Sequence, residues 1–398
     1  QRENDIQGTV MRLSGMLSAS AVLPLAAALA ACGGGTPQAP AAGTAAGAHE
    51  LDSATPDELM ELAMEEGTVT VYSFTSRIAS VEEAFEARYP GIDMVAHDIS
   101  SSEQITRLRS ESQAGTPSAD VAYISDAPVV ITELVAGGIL QNYVPPRVAD
   151  SVPEAYREPL LANRLSTKVL MYNEEAHPNG TPIENLWQLT EEEWNGRVVM
   201  VDPGVRGDYL DLMAEIVRRS DEMAQAYEDN FGSGIVLDED VENAGQQFIK
   251  DLYANGLVLV DDTDNVNQAV GAIGQDDPPV GITSYSDRRD NDEEGWALQA
   301  SLGTVPSPGI TFPAYIGLVN GSENPAAARL AADFLMGDDS TTGGPAYEPF
   351  YVPGDYPVRI DMLAPDNAVS LDELGAWDIV PEETARIRDG VADFLLTL

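Results

Sequence analysis

The sequence predicts an α/β protein with two sheet-containing units. Short apolar segments of strand length alternate with amphipathic segments of helix length across residues 56–336, a pattern typical of a sheet flanked by helices. The alternation stops after Asn173 and starts again at Arg197. With 398 residues, 43% of them hydrophobic, the chain is long enough to bury a core in each unit. This composition excludes a disordered chain.

The first unit begins with helices whose apolar residues lie three and four positions apart, such as Val81, Ala84 and Phe85. Pro90 and Gly91 then end a helix before the next strand. The predicted strands are 68–74, 92–97, 119–124 and 167–172. The predicted helices are 57–66, 80–89, 104–112 and 129–136.

The second unit repeats the alternation, and a last strand and helix follow it. The predicted strands are 197–201, 257–260, 280–284 and 314–319, and the predicted helices are 210–219, 243–255 and 325–336. The chain beyond Thr341 is rich in proline and acidic residues and is predicted as a tail. In α/β sheets of this kind, ligands bind at the carboxyl ends of the strands.

The charge of the chain is strongly unbalanced. There are 66 acidic and 21 basic side chains, a net charge of −45, and the only lysines are Lys168 and Lys250. A nucleic-acid partner is excluded because its phosphates require a basic surface, and anionic lipid surfaces are disfavoured. At about 1 M salt the Debye length is roughly 3 Å and self-repulsion is screened. We therefore expect a halophilic protein, with an ordinary acidic secreted protein as the alternative.

The start of the chain reads as an export signal. Residues 13–31 are apolar or small without an acidic side chain, after a short basic region at Arg12. Pro24 and several serines disfavour a permanent membrane span. We expect residues 1–31 to comprise an upstream extension, over residues 1–10, and a signal peptide.

The signal ends in Leu-Ala-Ala-Cys-Gly at residues 29–33, where Cys32 is the only cysteine. This segment resembles the lipobox of bacterial lipoproteins. The resemblance implies cleavage before Cys32 and lipidation of its thiol, which anchors a protein stably when several acyl chains are attached. Residues 32–55 would then form a flexible lipidated tether. A lone cysteine also excludes an internal disulfide and a Cys-rich metal site.

Several short motifs follow one another in order along the body of the chain. They are Val-Thr-Val-Tyr-Ser at 69–73, Ala-Phe-Glu at 84–86, Tyr-Pro-Gly at 89–91, Ser-Ala-Asp-Val at 118–121, Leu-Met-Tyr-Asn at 170–173, Gly-Arg-Val at 196–198, Ile-Gly-Leu-Val at 316–319, Asn-Pro-Ala-Ala-Ala at 324–328 and Phe-Leu at 334–335. The ordered set resembles the type II solute-binding proteins of bacterial ABC importers, in the branch with ferric-iron, phosphonate, sugar-phosphate and polyamine binders. It covers most of residues 67–360.

The resemblance implies a periplasmic-binding-protein type II fold, in which two lobes close over one solute by hinge bending. The hinge strands would resemble residues 170–173 and 303–306. The expected division is 56–173 plus 305–340 for lobe 1, 174–304 for lobe 2, and 341–398 for a C-terminal segment that packs on the lobes.

Hydroxyl and charged residues follow several predicted strands. After the first strand, hydroxyls and backbone N–H groups precede a helix and suit an anion, although simple helix capping is the alternative at each strand end. Arg206 is a candidate anion partner from the second lobe, with an exposed loop arginine as the alternative. The expected ligand-binding residues are Ser73, Thr75, Ser76, Arg77, Ser101, Ser102, Ser125, Asp126, Arg206 and Tyr285.

The expected function is that of an exported lipoprotein, anchored to the cell membrane and facing the periplasm or the cell exterior. It would capture a small phosphorylated or carboxylated solute and deliver it to ABC permease subunits. We expect a monomer without a cofactor and without catalytic activity.

Ferric iron remains an alternative solute. Iron-binding relatives carry adjacent tyrosines, and here only Tyr285 matches, with Ile78 near the place of a first-lobe His or Tyr. Isolated Tyr285 together with Asp or Glu oxygens would still suit ferric iron.

Other classes of protein find less support. The hydrolase motifs G-x-S-x-G and H-E-x-x-H do not occur, and His49, His97 and His177 are dispersed and expected at the surface. Residues 290–295 resemble half of a calcium loop, but Ser301 stands at the twelfth place, so we expect an acidic solvated loop. A structural lipoprotein or secreted enzyme is the remaining alternative.

Overall fold

In the computed structural model, which describes residues 51–398, twelve strands form one continuous sheet. The strands are β1 (Thr68–Ser73), β2 (Asp93–Asp98), β3 (Val121–Ile124), β4 (Leu140–Gln141), β5 (Ala162–Asn173), β6 (Val198–Val201), β7 (Val258–Val260), β8 (Val280–Thr283), β9 (Leu298–Ala300), β10 (Gly309–Val319), β11 (Tyr356–Pro357) and β12 (Trp377–Asp378).

Helices cover the sheet. They are α1 (Pro56–Glu66), α2 (Ile78–Arg88), α3 (Ser101–Ala114), α4 (Ala127–Val129), α5 (Glu154–Arg157), α6 (Gly207–Arg218), α7 (Ser220–Phe231), α8 (Ala244–Ala254), α9 (Thr263–Gly271), α10 (Asn291–Glu294), α11 (Pro325–Leu335), α12 (Gly344–Tyr347), α13 (Leu371–Leu374) and α14 (Pro381–Leu395). None of these helices is long and apolar enough to cross a membrane.

The sheet consists of two parallel halves joined by antiparallel strands. Its order is β2-β1-β3-β10-β5-β8-β6-β7, with the short strands β4, β9, β11 and β12 paired alongside β5 or β10. The pairs β1–β2, β1–β3, β6–β7 and β6–β8 are parallel, whereas β10 and β5 run antiparallel to each other, β10 to β3 and β5 to β8. We call the half with β1, β2, β3 and β10 lobe 1, and the half with β6, β7 and β8 lobe 2.

The long strand β5 belongs to both lobes. Its first part, up to Val169, pairs with β10 of lobe 1, and its last part pairs with β8 and β9 on the side of lobe 2. Val169 pairs with Gly309 of β10 on one side and with Thr283 of β8 on the other. The chain therefore passes from lobe 1 to lobe 2 inside a single strand, through the predicted hinge segment at residues 170–173.

Local sequence explains the ends of the helices that lead to the cleft between the lobes. Ser100 caps α3, since its hydroxyl accepts a hydrogen bond from the Glu103 N–H at 3.2 Å. Helix α3 therefore begins at Ser101, three residues earlier than predicted, and Ser101 and Ser102 lie in its first turn. At the far end Gly115, with φ +69, allows the chain to leave the helix.

Three sequence expectations about elements are corrected. The helix predicted at 129–136 is instead the short α4 followed by a π-helical turn, Val130–Val135. Helices α7 and α9 were not predicted. The supposed tail contains the 15-residue helix α14, which begins with Pro381 at a position where proline costs no hydrogen bond.

The predicted signal peptide, its upstream extension, the expected lipidation site Cys32 and the histidine at position 49 lie outside the described residues.

Candidate functional site

The segment after the carboxyl end of β3 in lobe 1 faces the segment after the carboxyl end of β6 in lobe 2. A cleft of about 420 Å³ lies between the lobes here, and α14 forms one of its walls. We call it the interlobe cleft. Its lining includes Ser102, Asp126 and Glu133 from lobe 1, Gly204 and Gly207 from lobe 2, and Arg388 from α14. This is the edge where α/β sheets bind ligands.

The predicted anion site after β1 is filled by a carboxylate of the chain itself. Arg77 Nη1 lies 2.6 Å from Asp355 Oδ2 and also donates to the Pro349 carbonyl at 3.1 Å. Asp355 Oδ1 accepts a second hydrogen bond from Arg164 Nη1 at 2.6 Å, and the side chains of Arg164 and Asp355 are fully buried. A solute anion at Arg77 would have to share this arginine with Asp355 or displace the carboxylate of Asp355.

The other residues of this loop form a local turn. The buried Ser73 hydroxyl donates to the Thr75 carbonyl at 2.9 Å and accepts from the Thr75 N–H at 3.2 Å. Thr75 Oγ1 in turn accepts from the Arg77 N–H and Nε, both at 3.4 Å. Ser76 is exposed. The hydroxyls of Ser73 and Thr75 therefore hold the loop and Arg77 in place.

Two predicted strand ends of lobe 1 meet directly. Ser101 Oγ and Ser125 Oγ are 2.9 Å apart, and the Ser125 N–H donates to Ser101 Oγ at 3.2 Å. The next residue, Asp126, is buried and has φ +72. This left-handed conformation is unusual for a residue other than glycine, and Asp126 faces the cleft together with Ser102.

Lobe 2 contributes a cluster of two cations and one carboxylate. Asp208 Oδ2 lies 3.2 Å from Lys168 Nζ and 3.1 Å from Arg206 Nη2. Lys168 also donates to Ser284 Oγ at 2.6 Å, and Arg206 donates to Thr263 Oγ1 at 3.0 Å. The cluster has one more positive than negative charge, and the Arg206 side chain is 30% exposed.

The environment favours the ionised forms of Asp208 and Arg206 and opposes that of Lys168. Burial would raise the pKa of Asp208, but the charges of Arg206 and Lys168 outweigh it and the pKa is lowered. The neighbouring Asp208 charge raises the pKa of Arg206. Burial lowers the pKa of Lys168 despite Asp208. The charge of Arg206 also acts on Asp98 at the end of β2, so this cation faces lobe 1.

Arg388 of α14 lies between carboxylates from the two lobes. Its Nε donates to Asp211 Oδ1 at 2.8 Å, and its Nη2 donates to Asp126 Oδ2 at 3.1 Å. Asp211 lies on α6 of lobe 2 and, like Asp126, is buried. The helix from the C-terminal segment thus contacts both lobes at the cleft.

Tyr285 lies at the end of β8 but is only 1% exposed. Its N–H donates to Thr167 Oγ1 at 3.0 Å, and the backbone at Gly354 packs so closely on Tyr285 and Ser286 that a Cβ there would overlap them. Burial raises the pKa of Tyr285. Within residues 51–398 no group of three or more His, Cys, Asp or Glu side chains is arranged to hold a metal ion.

Sequence reasoning missed six charged residues at this site. Lys168 stands out in the sequence because it is one of two lysines in the chain. Asp208 follows the predicted loop of Arg206 within two residues. The other four gave no local signal: Arg164, Asp211, Asp355 and Arg388.

Comparison with known proteins agrees with the fold described above. A model of the family of bacterial extracellular solute-binding proteins matches residues 70–342. A search of curated protein sequences found no significant match.

Solved structures of two-lobed binding proteins superimpose on the chain. Iron-bound HitA from Pseudomonas aeruginosa has a TM-score of 0.65 and 17% identity, over 82% of this chain and 99% of that one. The apo ferric ion-binding protein A from Pasteurella haemolytica has a TM-score of 0.62 and 17% identity, over 83% of this chain and 97% of that one. The periplasmic binding protein AfuA from Actinobacillus pleuropneumoniae, with fructose-6-phosphate bound, has a TM-score of 0.62 and 17% identity, over 83% of this chain and 98% of that one. The predicted two-lobed α/β fold is confirmed.

Proposed function

The chain belongs to the bacterial extracellular solute-binding proteins, and we propose that it is the lipid-anchored substrate-binding component of an ABC importer for a small anionic solute. The solute would bind between the two lobes and be handed to the permease subunits. Its class would be a phosphorylated or carboxylated metabolite. The protein would be exported, act as a monomer and perform no chemistry on the solute.

The observation that supports an anion is the charge of the Lys168, Arg206 and Asp208 cluster. The chain as a whole has a net charge of −45, yet here two cations contact a single carboxylate, while the charges of Asp98 and Asp287 act on them without an ion pair. A cation held in a partly buried site attracts an anion more strongly than a solvated one. Arg206 is the accessible member, and Lys168 behind it is buried.

Closure around the solute would occur by bending at β5 and at the returning segment before β10. We propose the lobe limits 56–173 plus 305–340 and 174–304. The proposal is supported by the pairing of β5 with both halves of the sheet. The remaining C-terminal segment, 341–398, packs on both lobes through Asp355 and Arg388.

An anion fits the described residues better than ferric iron does. Iron binding would depend on Tyr285, which is buried and covered by the segment at Gly354. The solved relatives include both an iron-bound protein and one bound to fructose-6-phosphate, so the fold alone accommodates either solute. The burial of Tyr285 and the cations Arg206 and Lys168 support the anion.

Attachment to the membrane would occur through Cys32. The lipobox-like sequence at residues 29–33 and the small, flexible residues after it support this proposal. The acidic surface would suit a habitat with high salt, where self-repulsion is screened.

The test begins with native mass spectrometry of freshly purified protein, which weighs any solute that co-purifies. Thermal unfolding is then recorded with inorganic phosphate, glucose-6-phosphate, fructose-6-phosphate, citrate and ferric citrate. We expect at least one phosphorylated or carboxylated compound to raise the unfolding temperature, whereas ferric iron should not exceed its matched citrate control.

Arg206→Gln should weaken the binding of that anion by about tenfold to a hundredfold, because it removes a charge-assisted contact of roughly 1.5 to 3 kcal/mol. Arg197→Gln is the matched control. Arg197 also pairs with an aspartate, Asp277, but it precedes β6, whereas Arg206 follows that strand. A coloured protein that a chelator destabilises, or a panel without any stabilising anion, would overturn the proposal.

A further inference from the structure

Helix α14 is attached to lobe 2 by polar contacts with α6. Thr384 Oγ1 donates to Glu215 Oε1 at 2.6 Å, and Glu383 Oε2 accepts from Arg218 Nη1 at 2.9 Å. Arg388, one turn further on the same helix, donates to Asp211 on α6. All three polar contacts lie within lobe 2, whereas α14 packs on α4 and on the π-helical turn of lobe 1. From the polar contacts we infer that the helix moves with lobe 2 and leaves α4 when the cleft opens.

One polar contact of α14 extends to the other lobe. Arg388 Nη2 lies 3.1 Å from Asp126 Oδ2 at the end of β3. The fit around this contact is close: Arg388 Nη2 also lies 3.4 Å from the Gly207 carbonyl, and a Cβ on Gly207 would overlap both Asp126 and Arg388. Opening the cleft would therefore separate Arg388 from Asp126 while its contact with Asp211 remains.

We propose that Asp126, Arg388 and Asp211 form an interlobe latch that is made when the cleft closes, and that closing the latch takes up a proton because one guanidinium faces two buried carboxylates. The inference goes beyond solute binding: it concerns the equilibrium between open and closed forms and does not depend on the identity of the solute.

The charged groups around the latch do not provide a second cation to balance its two carboxylates. Asp208 on α6 is already paired with Lys168 and Arg206. In lobe 1 Arg109 pairs with Glu133. The charged groups that face the latch are Asp208 from α6, Asp389 from α14, and Arg109 and Glu133 from lobe 1. None of the groups from α6, α14 or lobe 1 supplies a second cation to the two carboxylates.

The sign of the pH dependence follows from linkage. Burial raises the pKa of Asp126 to about 6 in the closed form, although Arg388 opposes it, and burial likewise raises the pKa of Asp211 well above its usual value. In an open cleft Asp126 returns towards its ordinary pKa of 3.8. The closed form therefore binds the proton more tightly, and acidification from pH 8 to pH 5 should raise the closed-to-open ratio by about tenfold.

The test measures lobe separation by single-molecule energy transfer in the full chain without added solute, at about 1 M KCl. Dyes are attached in a Cys32→Ser background at Glu86→Cys on α2 of lobe 1 and Glu228→Cys on α7 of lobe 2, two exposed positions. The wild-type latch should give more closed molecules at pH 5 than at pH 8. Because no solute is present, a failed anion assay would leave this measurement unaffected.

Three variants separate the latch from general stability. Arg388→Gln should lower the closed-to-open ratio at pH 8 by about tenfold or more, because it removes a charge-assisted contact between the lobes. Asp126→Asn should make the ratio nearly independent of pH between 5 and 8. Glu383→Gln is the matched control, since it removes an α14 ion pair within lobe 2, and should leave the ratio and its pH dependence unchanged.

If Arg388→Gln does not fold, Arg388→Lys provides the test. Lysine keeps the charge but does not present the fork that reaches both carboxylates, so the ratio at pH 8 should fall while acidification still raises it. A wild-type ratio that does not change with pH would overturn the proposal. So would an Arg388 variant that matches Glu383→Gln.

Discussion

Replacement of Asp355 by asparagine should destabilise the protein and create an anion-dependent stability that the wild type lacks. The carboxylate of Asp355 lies 2.6 Å from both Arg77 and Arg164, and Arg164 is fully buried. Loss of the shared carboxylate would leave two guanidinium groups close together without a counter-charge. Removing one partner of a buried ion pair typically costs about 3 to 5 kcal/mol.

Urea unfolding at fixed high salt measures this change as a lower free energy of unfolding for Asp355→Asn. We expect a loss of about 3 kcal/mol, near the lower limit, because the asparagine oxygen still accepts one hydrogen bond. Asp361→Asn is the matched control in the same segment: Asp361 pairs with Arg359, but its side chain is 48% exposed. Its variant should lose less than about 1 kcal/mol.

Sulfate should restore part of the stability lost in Asp355→Asn, because the anion can take the position of the carboxylate between Arg77 and Arg164. Chloride at equal ionic strength controls for screening. The dependence of the free energy of unfolding on pH in the acidic range gives an independent check. Arg164 and Arg77 hold the pKa of Asp355 below its ordinary 3.8 against the effect of burial, so this group stabilises the fold above about pH 4 and its contribution is lost as the pH falls further.

The reasoning about this cluster would be refuted if Asp355→Asn unfolded at the same urea concentration as the Asp361 variant. An equal response to sulfate and chloride would refute the idea that Asp355 occupies an anion position. The same geometry changes the expectation for Arg77→Ala: this variant should lower stability as well as any affinity for a solute, because Arg77 neutralises part of a buried site.

Three further changes test other parts of the molecule. Cys32→Ser should move the protein from the membrane fraction to the soluble exported fraction in cell fractionation, and unchanged fractionation would exclude lipidation at Cys32. The melting temperature should rise steeply from low salt to about 1 M salt as repulsion within the −45 chain is screened; a flat curve would contradict halophilic adaptation. Gly207→Ala should hinder closure, since its methyl group would overlap Asp126, and small-angle X-ray scattering should report a larger radius of gyration. Gly390→Ala has free space around its Cβ and lies inside α14, so it should keep the wild-type radius and gain slightly in stability.

Most of the strands follow from local patterns in the sequence, and so do six helices: α1, α2, α3, α6, α8 and α11. The apolar strands β3 and β6 are buried along their whole length, as expected for strands covered on both faces. Element ends were less exact, because capping by Ser100 rather than hydrophobic spacing decides where α3 begins. Helix α14 was missed because Pro381 and the acidic residues after it were interpreted as a tail, although both suit the first turn of a helix.

Some features of the candidate site are also visible in the local sequence, whereas others depend on residues that are distant in the chain. The strand-end serines are visible in the sequence, and Ser101 and Ser125 do meet. The partner of Arg77 is not visible, because Asp355 lies 278 residues further along the chain. Nothing in the loop after β1 distinguishes an arginine that awaits an anion from one already paired. Likewise, the spacing of Tyr285 after β8 suggested a ligand, whereas packing by the segment at Gly354 buries it.

The sequence by itself determined the α/β class, the order of motifs, the acidic surface and the strand ends at which the cleft lies, because these depend on composition and on the period of neighbouring residues. Only the tertiary structure decided which charges are free. Asp126 and Arg388 are 262 residues apart in the chain and 3.1 Å apart in space, and ion pairs of this kind leave no local pattern. They form because burial penalises an unpaired charge, and the fold alone decides which opposite charge is near enough to pair with it.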